Sequence, residues 1–489
     1  MARSTKTYLD RIPSSKLGLK RLGRTLATLL ARKCEQCGKE RLVSAFQYYS
    51  QPTQNGCPEC LLTAKVMRPL ISFFFRNLDL PRETRKKLLS DPLIVKSMNC
   101  AVRGAARLGI QAPQPTAVPV VIVWNYTNHC NLNCIHCHQD SQTDSADAEL
   151  STKEVYKVLD NIIDAGVPLL TFSGGEPLVK KNIFKAIKYA TSHGLICTLA
   201  SNGKLMTKET VANLAKAGIT RVEIGLDSAE PASHDTLRNE PGAFERACAA
   251  IKNCAESKAF DEIAVTATLN KMNYPQLSKI IDLAESLGAT RFYLNRIIAA
   301  GRGKNIPELD VTPAERIMAM RIIYKRFEKS VKEDFGILCY VRGMTYFARL
   351  SYDMSHGKMF HVSEILSGYD KLFLERYGHQ VAKIIHRFGR NFGGCTAGLT
   401  YAGLDPHGNL LPCVVAQVPL GNLLETPLEK IWCNSPALVD LRTRHLVKGY
   451  CGSCNYNGIC GGCRYTAYEE TGDWLGPDTS CPYNAKSVI

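Results

Sequence analysis

The chain lacks any run near the roughly 20 uninterrupted apolar residues that would span a bilayer as a helix. Its first 33 residues are rich in Lys and Arg but have no apolar core followed by a small-residue cleavage site, so the sequence predicts a cytoplasmic protein. There is no low-complexity block, and at 45% hydrophobic and 22% charged residues the composition excludes a disordered chain. Aromatics interleaved with Lys and Arg are thin, which leaves nucleic acid unsupported as a partner. Acidic residues are few relative to basic ones, 45 against 61, giving a net charge of +16. Such a surface attracts an acidic redox partner, an anionic substrate or a lipid headgroup layer, and charge alone does not choose among them. The short apolar run from Leu70 to Phe75, between Arg68 and Arg76, suits a buried helix and leaves membrane-surface contact open.

Cysteine is what the chain has in excess: 20 residues, unevenly placed. A disulfide framework belongs to small secreted domains, so tight C-x-x-C pairs in a chain of 489 residues point to metal. That length predicts two or three domains. Residues 1–116 are basic, hold two C-x-x-C pairs and end in the linker-like stretch 111–116. Residues 117–340 alternate short apolar runs with amphipathic stretches. Residues 341–392 have no clear period and read as an insertion or lid. From 393 to 489 Gly and Cys dominate, with too few periodic apolar residues to fold without metal.

The middle region predicts strands at Val120–Tyr126, Leu169–Phe172, Ile196–Ala200, Arg221–Leu226, Ile263–Leu269 and Arg291–Leu294. Helices are predicted at 152–164, 181–193, 244–256, 274–286 and 312–330. Repeated βα units of this length make an α/β fold, a parallel sheet closed or partly closed into a TIM-like (βα)6 barrel. Chemistry on such barrels gathers at the C-terminal strand ends.

Just past the first strand stand Cys130, Cys134 and Cys137, at C-x-x-x-C-x-x-C spacing. Three thiolates can wrap three corners of one [4Fe–4S] cubane and leave one iron open; a distant fourth ligand or a zinc site are the alternatives. The loop off the second strand reads Ser173, Gly174, Gly175, Glu176, Pro177, where paired glycines let backbone approach a ligand closely. In this order and on these strands the two motifs resemble the radical S-adenosylmethionine (SAM) superfamily. That resemblance covers about 117–310 and implies that SAM's amino and carboxylate groups chelate the open iron. It also implies that the 173–177 loop holds the methionyl amine. Ser201, Asn202, Asp227 and Ser228 then match ribose and methionine contacts, and Arg238 matches a partner of the SAM carboxylate. Asn202 and Arg238 read equally well as turn and surface residues. His136 stands where the family often has an aromatic residue. The implied activity is reductive SAM cleavage to a 5′-deoxyadenosyl radical that abstracts hydrogen from an unreactive C–H bond. A ferredoxin- or flavodoxin-type electron donor is implied with it.

The later cysteines, Cys395, Cys413, Cys451, Cys454, Cys460, Cys463 and Cys481, allow a zinc array but resemble the SPASM extension of that superfamily. The resemblance implies one auxiliary [4Fe–4S] cluster on Cys451, Cys454, Cys460 and Cys481. A second would sit on Cys395, Cys413 and Cys463 and be open, completed by a remote group, or absent. The family more often has three residues between the last close pair, where this chain has two. The string from Cys460 through Arg464 and Tyr465 to Asp473, with Gly301 and Gly303, is similar to tetrapyrrole-modifying enzymes of d-type haem and alternative haem synthesis, which cleave propionate or acetate side chains. Peptide- or lipid-modifying relatives, or an RNA-contacting iron–sulfur protein, remain alternatives. The pair Cys34 and Cys37 is separated from the pair Cys57 and Cys60 by 19 intervening residues, a spacing that predicts a four-cysteine zinc-ribbon or rubredoxin-like module holding Zn or Fe.

Overall fold

The computed structural model describes residues 17–50, 57–76, 81–143, 149–333, 336–354 and 394–484. Seven parallel strands lie side by side in chain order: β1 (Val121–Thr127), β2 (Leu169–Gly174), β3 (Ile196–Ser201), β4 (Arg221–Gly225), β5 (Glu262–Leu269), β6 (Arg291–Arg296) and β7 (Leu338–Val341). The six strands expected from the sequence all form. The structure adds β7, and beyond β1 it adds β8 (Tyr401–Leu404), β9 (Asn409–Leu411) and β10 (Gly421–Asn422). β8 pairs in parallel with β1, Val121 opposite Tyr401, so the Cys-rich region extends the barrel sheet.

The crossovers between strands are amphipathic helices, and the first has both its ends written in the sequence. The helix Thr152–Ala165 starts in a capping box, Ser151 accepting from Glu154 N–H and Glu154 reaching back, and stops at left-handed Gly166. Its Val155, Val158, Leu159 and Ile162 recur at helical spacing and are fully buried against the sheet. Burying such a side chain contributes about 1.5–3 kcal/mol. Trp124, Tyr126 and Phe172 pack edge and face between β1 and β2, and Trp124 Nε1 donates to Asp405 O at 3.0 Å.

The C-terminal region, expected to need metal to fold, also contributes apolar side chains to the barrel core. Leu428, Trp432, Leu438 and Leu441 enter the main core, and Trp432 Nε1 donates to Thr116 O at 2.8 Å. The stretch 111–116 is likewise not a free linker at its end: Thr116 is buried and its N–H donates to Leu399 O at 2.9 Å. Short helices with few apolar residues pack here against an interface whose other half is the barrel.

The described residues between 17 and 108 form five helices: α1 (Leu17–Leu30), α2 (Arg41–Ser50), α3 (Pro58–Arg76), α4 (Arg82–Ser90) and α5 (Pro92–Leu108). They enclose a small separate core around Phe46, Ala64, Met67 and Leu89. The Leu70–Phe75 run lies in α3, where Ile71 is buried; the side chains of Leu70 and Phe73–Phe75 lie outside the described residues. Of the expected insertion, 341–354 close β7 and form the helix Phe347–Met354, and the rest lies outside the described residues. No helix among the described residues is long and apolar enough to cross a membrane.

Candidate active site

The cysteine trio sits on the loop that leaves β1, as the barrel rule requires. The loop is held by backbone bonds rather than by a packed side-chain core. Cys130 N–H donates to Gln142 O at 3.0 Å, and Ile135 N–H donates to Leu237 O at 3.1 Å. Arg302 donates through Nε to Cys134 O at 2.8 Å, through its own N–H to Cys137 O at 2.9 Å, and through Nη1 to Ser141 O at 2.9 Å. Gly301 next to it has φ +52°, and a Cβ there would stand 2.5 Å from Cys137 O. Glu149 fixes the loop's root by accepting from Asn128 N–H at 2.6 Å and Thr127 Oγ1 at 2.8 Å, and it pairs with Lys180 at 2.9 Å.

The loop after β2 closes against the first. Gly175 N–H donates to Thr127 O at 2.7 Å and Glu176 N–H to His129 O at 2.9 Å. A Cβ on Gly175 would fall 2.1 Å from His129 O, and one on Gly174, at φ +120°, would fall 2.5 Å from Thr127 O. Both glycines are therefore required by backbone crossing backbone. The Glu176 carboxylate is fully buried and accepts from Ser201 Oγ at 3.1 Å, Asn202 N–H at 2.8 Å and Leu178 N–H at 3.1 Å. Burial pushes it up to about 7 against those donors. It is a brace between the loops of β2 and β3, a role the sequence did not reveal. Ser173 is the last residue but one of β2, opposite Asn125, and buried Pro177 opens a 3-10 turn.

Asn202 turns back toward the trio, its Nδ2 2.7 Å from Asn131 Oδ1 and 3.9 Å from Cys130 Sγ. Arg238 is no surface residue. From the last position of the helix Pro231–Arg238 its mostly covered side chain reaches over the end of β4, pairs with Asp227 at 2.8 Å and places Nη1 4.0 Å from Cys134 Sγ. Gly225 makes the room, since a Cβ there would be 2.3 Å from the guanidinium. Asp227, fully buried, also accepts from Thr268 N–H at 2.8 Å and faces His136 Nε2 at 3.5 Å. Its burial would raise the carboxyl, but Arg238 and then His136 hold it below the usual carboxylate range. Ser228 turns away to Gln276 at 3.1 Å.

The residues present fit an iron–sulfur cluster. Burial pushes the Cys130 thiol up to about 12, so a thiolate there needs a bound cation. Asn131 Nδ2, His136 Nδ1 and His138 Nε2 are buried beside the trio without a hydrogen-bond partner.

The later cysteines fall into two neighbourhoods. Cys451 and Cys454 lie near Cys481, Cys454 near Cys451, and Cys481 near Cys460; burial pushes Cys460 up to about 12 and Cys481 to about 11. Cys395 neighbours Cys463, and Tyr465 lies near both Cys463 and Cys413. Buried Asp478, missed in the sequence, joins the two by accepting from Cys463 N–H at 2.7 Å and donating its own N–H to Cys451 Sγ at 3.3 Å. Cys395 N–H donates to Cys460 O at 3.0 Å, and left-handed Gly394 permits it, because a Cβ would be 2.1 Å from that oxygen. A fourth group brings Cys34, Cys37, Cys57 and Cys60 together, all four sulfurs within 4.8 Å of one another. Its frame is helical: Cys34 and Cys37 lie in the turn before α2, and Cys57 and Cys60 lie at the start of α3.

The radical SAM superfamily matches residues 124–284, and the SPASM iron–sulfur cluster-binding domain matches 395–463. The AdoMet-dependent heme synthase of Methanosarcina barkeri is 32% identical over 368 residues, covering 75% of this chain and 97% of the relative. The pre-heme d1 synthase of Dinoroseobacter shibae is 28% identical over 387 residues, 77% of this chain and 88% of the relative. Among solved structures, Streptococcus suis SuiB bound to precursor peptide SuiA aligns with TM-score 0.62 at 17% identity, over 90% of this chain and 93% of that one, a likeness of fold. Three cysteines on the first βα loop, crossed by a Gly-Gly-Glu-Pro loop and followed by a cysteine-rich sheet extension, agree with both matches: this chain is an enzyme of the radical SAM superfamily with a SPASM domain, using SAM and [4Fe–4S] clusters.

Proposed function

We propose that the substrate is a tetrapyrrole and that the reaction attacks a C–H bond on one of its carboxylate side chains. The observation that carries this reading is the match to a heme synthase along 97% of that relative's length. With cluster and SAM bound, the chemistry supplied is reductive cleavage to a 5′-deoxyadenosyl radical, which takes hydrogen from an unreactive C–H bond. Cys130, Cys134 and Cys137 are the proposed cluster ligands. The 173–177 loop, with Ser201, Asn202, Asp227, Ser228 and Arg238, is the proposed SAM cradle.

The geometry refines two of these roles. Glu176 and Asp227 act on SAM through backbone they position, since both carboxylates are already engaged inside the protein. Arg238 contributes positive charge beside Cys134 while it anchors Asp227.

The inner face of the barrel is polar, which suits an acidic substrate. Thr198 donates to Thr171 at 2.8 Å, and Asn295 to Thr266 at 2.6 Å. Arg342 pairs with Glu223 at 2.6 Å and lies 3.4 Å over the Tyr293 ring. A substrate carboxylate can compete with Glu223 for that guanidinium, because a planar donor fork accepts either carboxylate. The basic surface favours an acidic ferredoxin- or flavodoxin-type donor.

The test is an anaerobic turnover with SAM, dithionite and porphyrinoids deuterated on propionate or acetate carbons. Deuterium in 5′-deoxyadenosine is expected. Unlabelled product with every member of such a panel would overturn the substrate assignment.

A further inference from the structure

Outside both family matches lies the N-terminal layer, with four cysteines that neither family model covers. We propose that Cys34, Cys37, Cys57 and Cys60 bind one mononuclear zinc ion, and that this ion clamps the N-terminal helices onto the barrel.

The sulfur geometry is that of a single ion. Cys34 and Cys57 sulfurs are 3.3 Å apart, and Cys37 lies 3.5 Å from both Cys57 and Cys60. A disulfide needs about 2.05 Å, so none of these pairs is bonded. Four thiolates at about 2.3 Å from one tetrahedral ion stand about 3.8 Å apart, close to what is seen. A cubane puts each thiolate on its own iron and spreads them further. Zinc is preferred to ferrous iron because it binds the same donor set more tightly.

The backbone is shaped for this. Cys34 N–H donates to Lys39 O at 2.7 Å and Gly38 N–H to Cys34 O at 2.9 Å, with Gly38 at φ +69°. That turn presents Cys34 and Cys37 on one side, while the first turn of α3 presents Cys57 and Cys60. Glu59, between the second pair, accepts from Glu35 N–H at 3.1 Å and pairs with Arg41, so the two pairs are laced together through side chains as well. The ion thereby pins the start of α2 to the start of α3. Their shared core is small, and a core of that size needs a staple.

The clamp runs through Glu40, which closes the first turn by bridging back to Lys33. Glu40 faces Arg103 on α5 at 3.5 Å. Arg103 donates to Ala165 O at 2.9 Å, at the end of a barrel helix, and pairs with Glu429 at 2.8 Å in the C-terminal region. One guanidinium therefore ties the cysteine turn, α5, the barrel and the C-terminal extension.

Full-length protein, purified anaerobically with its clusters, should hold about one zinc per chain by mass spectrometry. Cys37→Ser/Cys57→Ser should lose that zinc, keep its iron and sulfide, and show faster amide exchange over 41–50 and 58–69. Zinc retained in the variant would overturn the site. So would loss of one iron, which marks a mononuclear iron centre, or of about four, which marks a cluster. If the variant fails to fold, zinc-edge X-ray absorption on the unaltered protein decides: four sulfurs at about 2.3 Å support the site, and nitrogen or oxygen ligands refute it. Arg103→Leu should keep the zinc yet speed exchange over 162–166; unchanged exchange would refute the clamp. None of these readouts depends on SAM cleavage.

Discussion

Replacing Arg238 by Leu leaves Asp227 as a fully buried carboxylate with one backbone donor, Thr268 N–H, and a neutral-leaning His136 at 3.5 Å. Burial is the largest influence on His136 and lowers its pKa; Arg238 lowers it further, so the comparison belongs at about pH 8.5, where an imidazole freed of Arg238 is still neutral. Removing one partner of a buried pair costs about 3–5 kcal/mol, far more than the pair is worth against an apolar replacement of both. Unfolding entropy near 2.1 cal/mol/K per residue makes 1 kcal/mol worth roughly 1 °C in a chain this long. Arg238→Leu should therefore lower the midpoint of the cofactor-free protein by about 3–5 °C. Asp227→Asn strands the guanidinium instead and should cost a similar amount. The double variant Asp227→Asn/Arg238→Leu should recover at least half of the summed loss. Scanning calorimetry at fixed pH and scan rate reads all three. Losses below about 1 °C for either single change, or strict additivity in the double, would refute the buried-pair account.

Gly175→Ala places a methyl 2.1 Å from His129 O and should weaken SAM binding at least tenfold by equilibrium dialysis, while Gly38→Ala, with open space around it, should leave SAM binding unchanged. Glu176, near 7 in the folded protein against 4.5 as a free carboxyl, binds its proton more tightly when folded. The cofactor-free protein should therefore lose about 3 kcal/mol relative to Glu176→Gln as pH rises from about 4.5 through about 7. A gain over that window in paired melting curves would contradict the assignment. Arg302→Lys keeps the charge but loses the fork across Cys134 O and Ser141 O, and should reduce iron retained after gel filtration with little change in midpoint.

The βα order was legible because alternating apolar strands and capped amphipathic helices each signal locally, and every expected strand falls within one or two residues of its place. The cysteine trio and the Gly-Gly-Glu-Pro loop were legible for the same reason: their spacing is a local property. What the sequence hid is long-range. Glu149, Arg302 and Asp478 fix cysteine loops from positions without any spacing signal, and Arg238 became a buried partner only once Gly225 opened a passage for it. The helical setting of the first four cysteines was hidden too, because C-x-x-C spacing records a turn and is indifferent to the element that the turn leads into. β8 escaped notice because four residues pair in parallel with a strand 280 positions earlier, a pairing that only the folded sheet creates.

The most direct test of the central claim is anaerobic reduction of the reconstituted protein with dithionite in the presence of SAM. The unaltered chain should release 5′-deoxyadenosine, and Cys134→Ser, whose cluster on Cys130 and Cys137 is incomplete, should release none. Absence of 5′-deoxyadenosine from unaltered protein with all its iron–sulfur clusters in place would contradict a SAM-cleaving role for the trio.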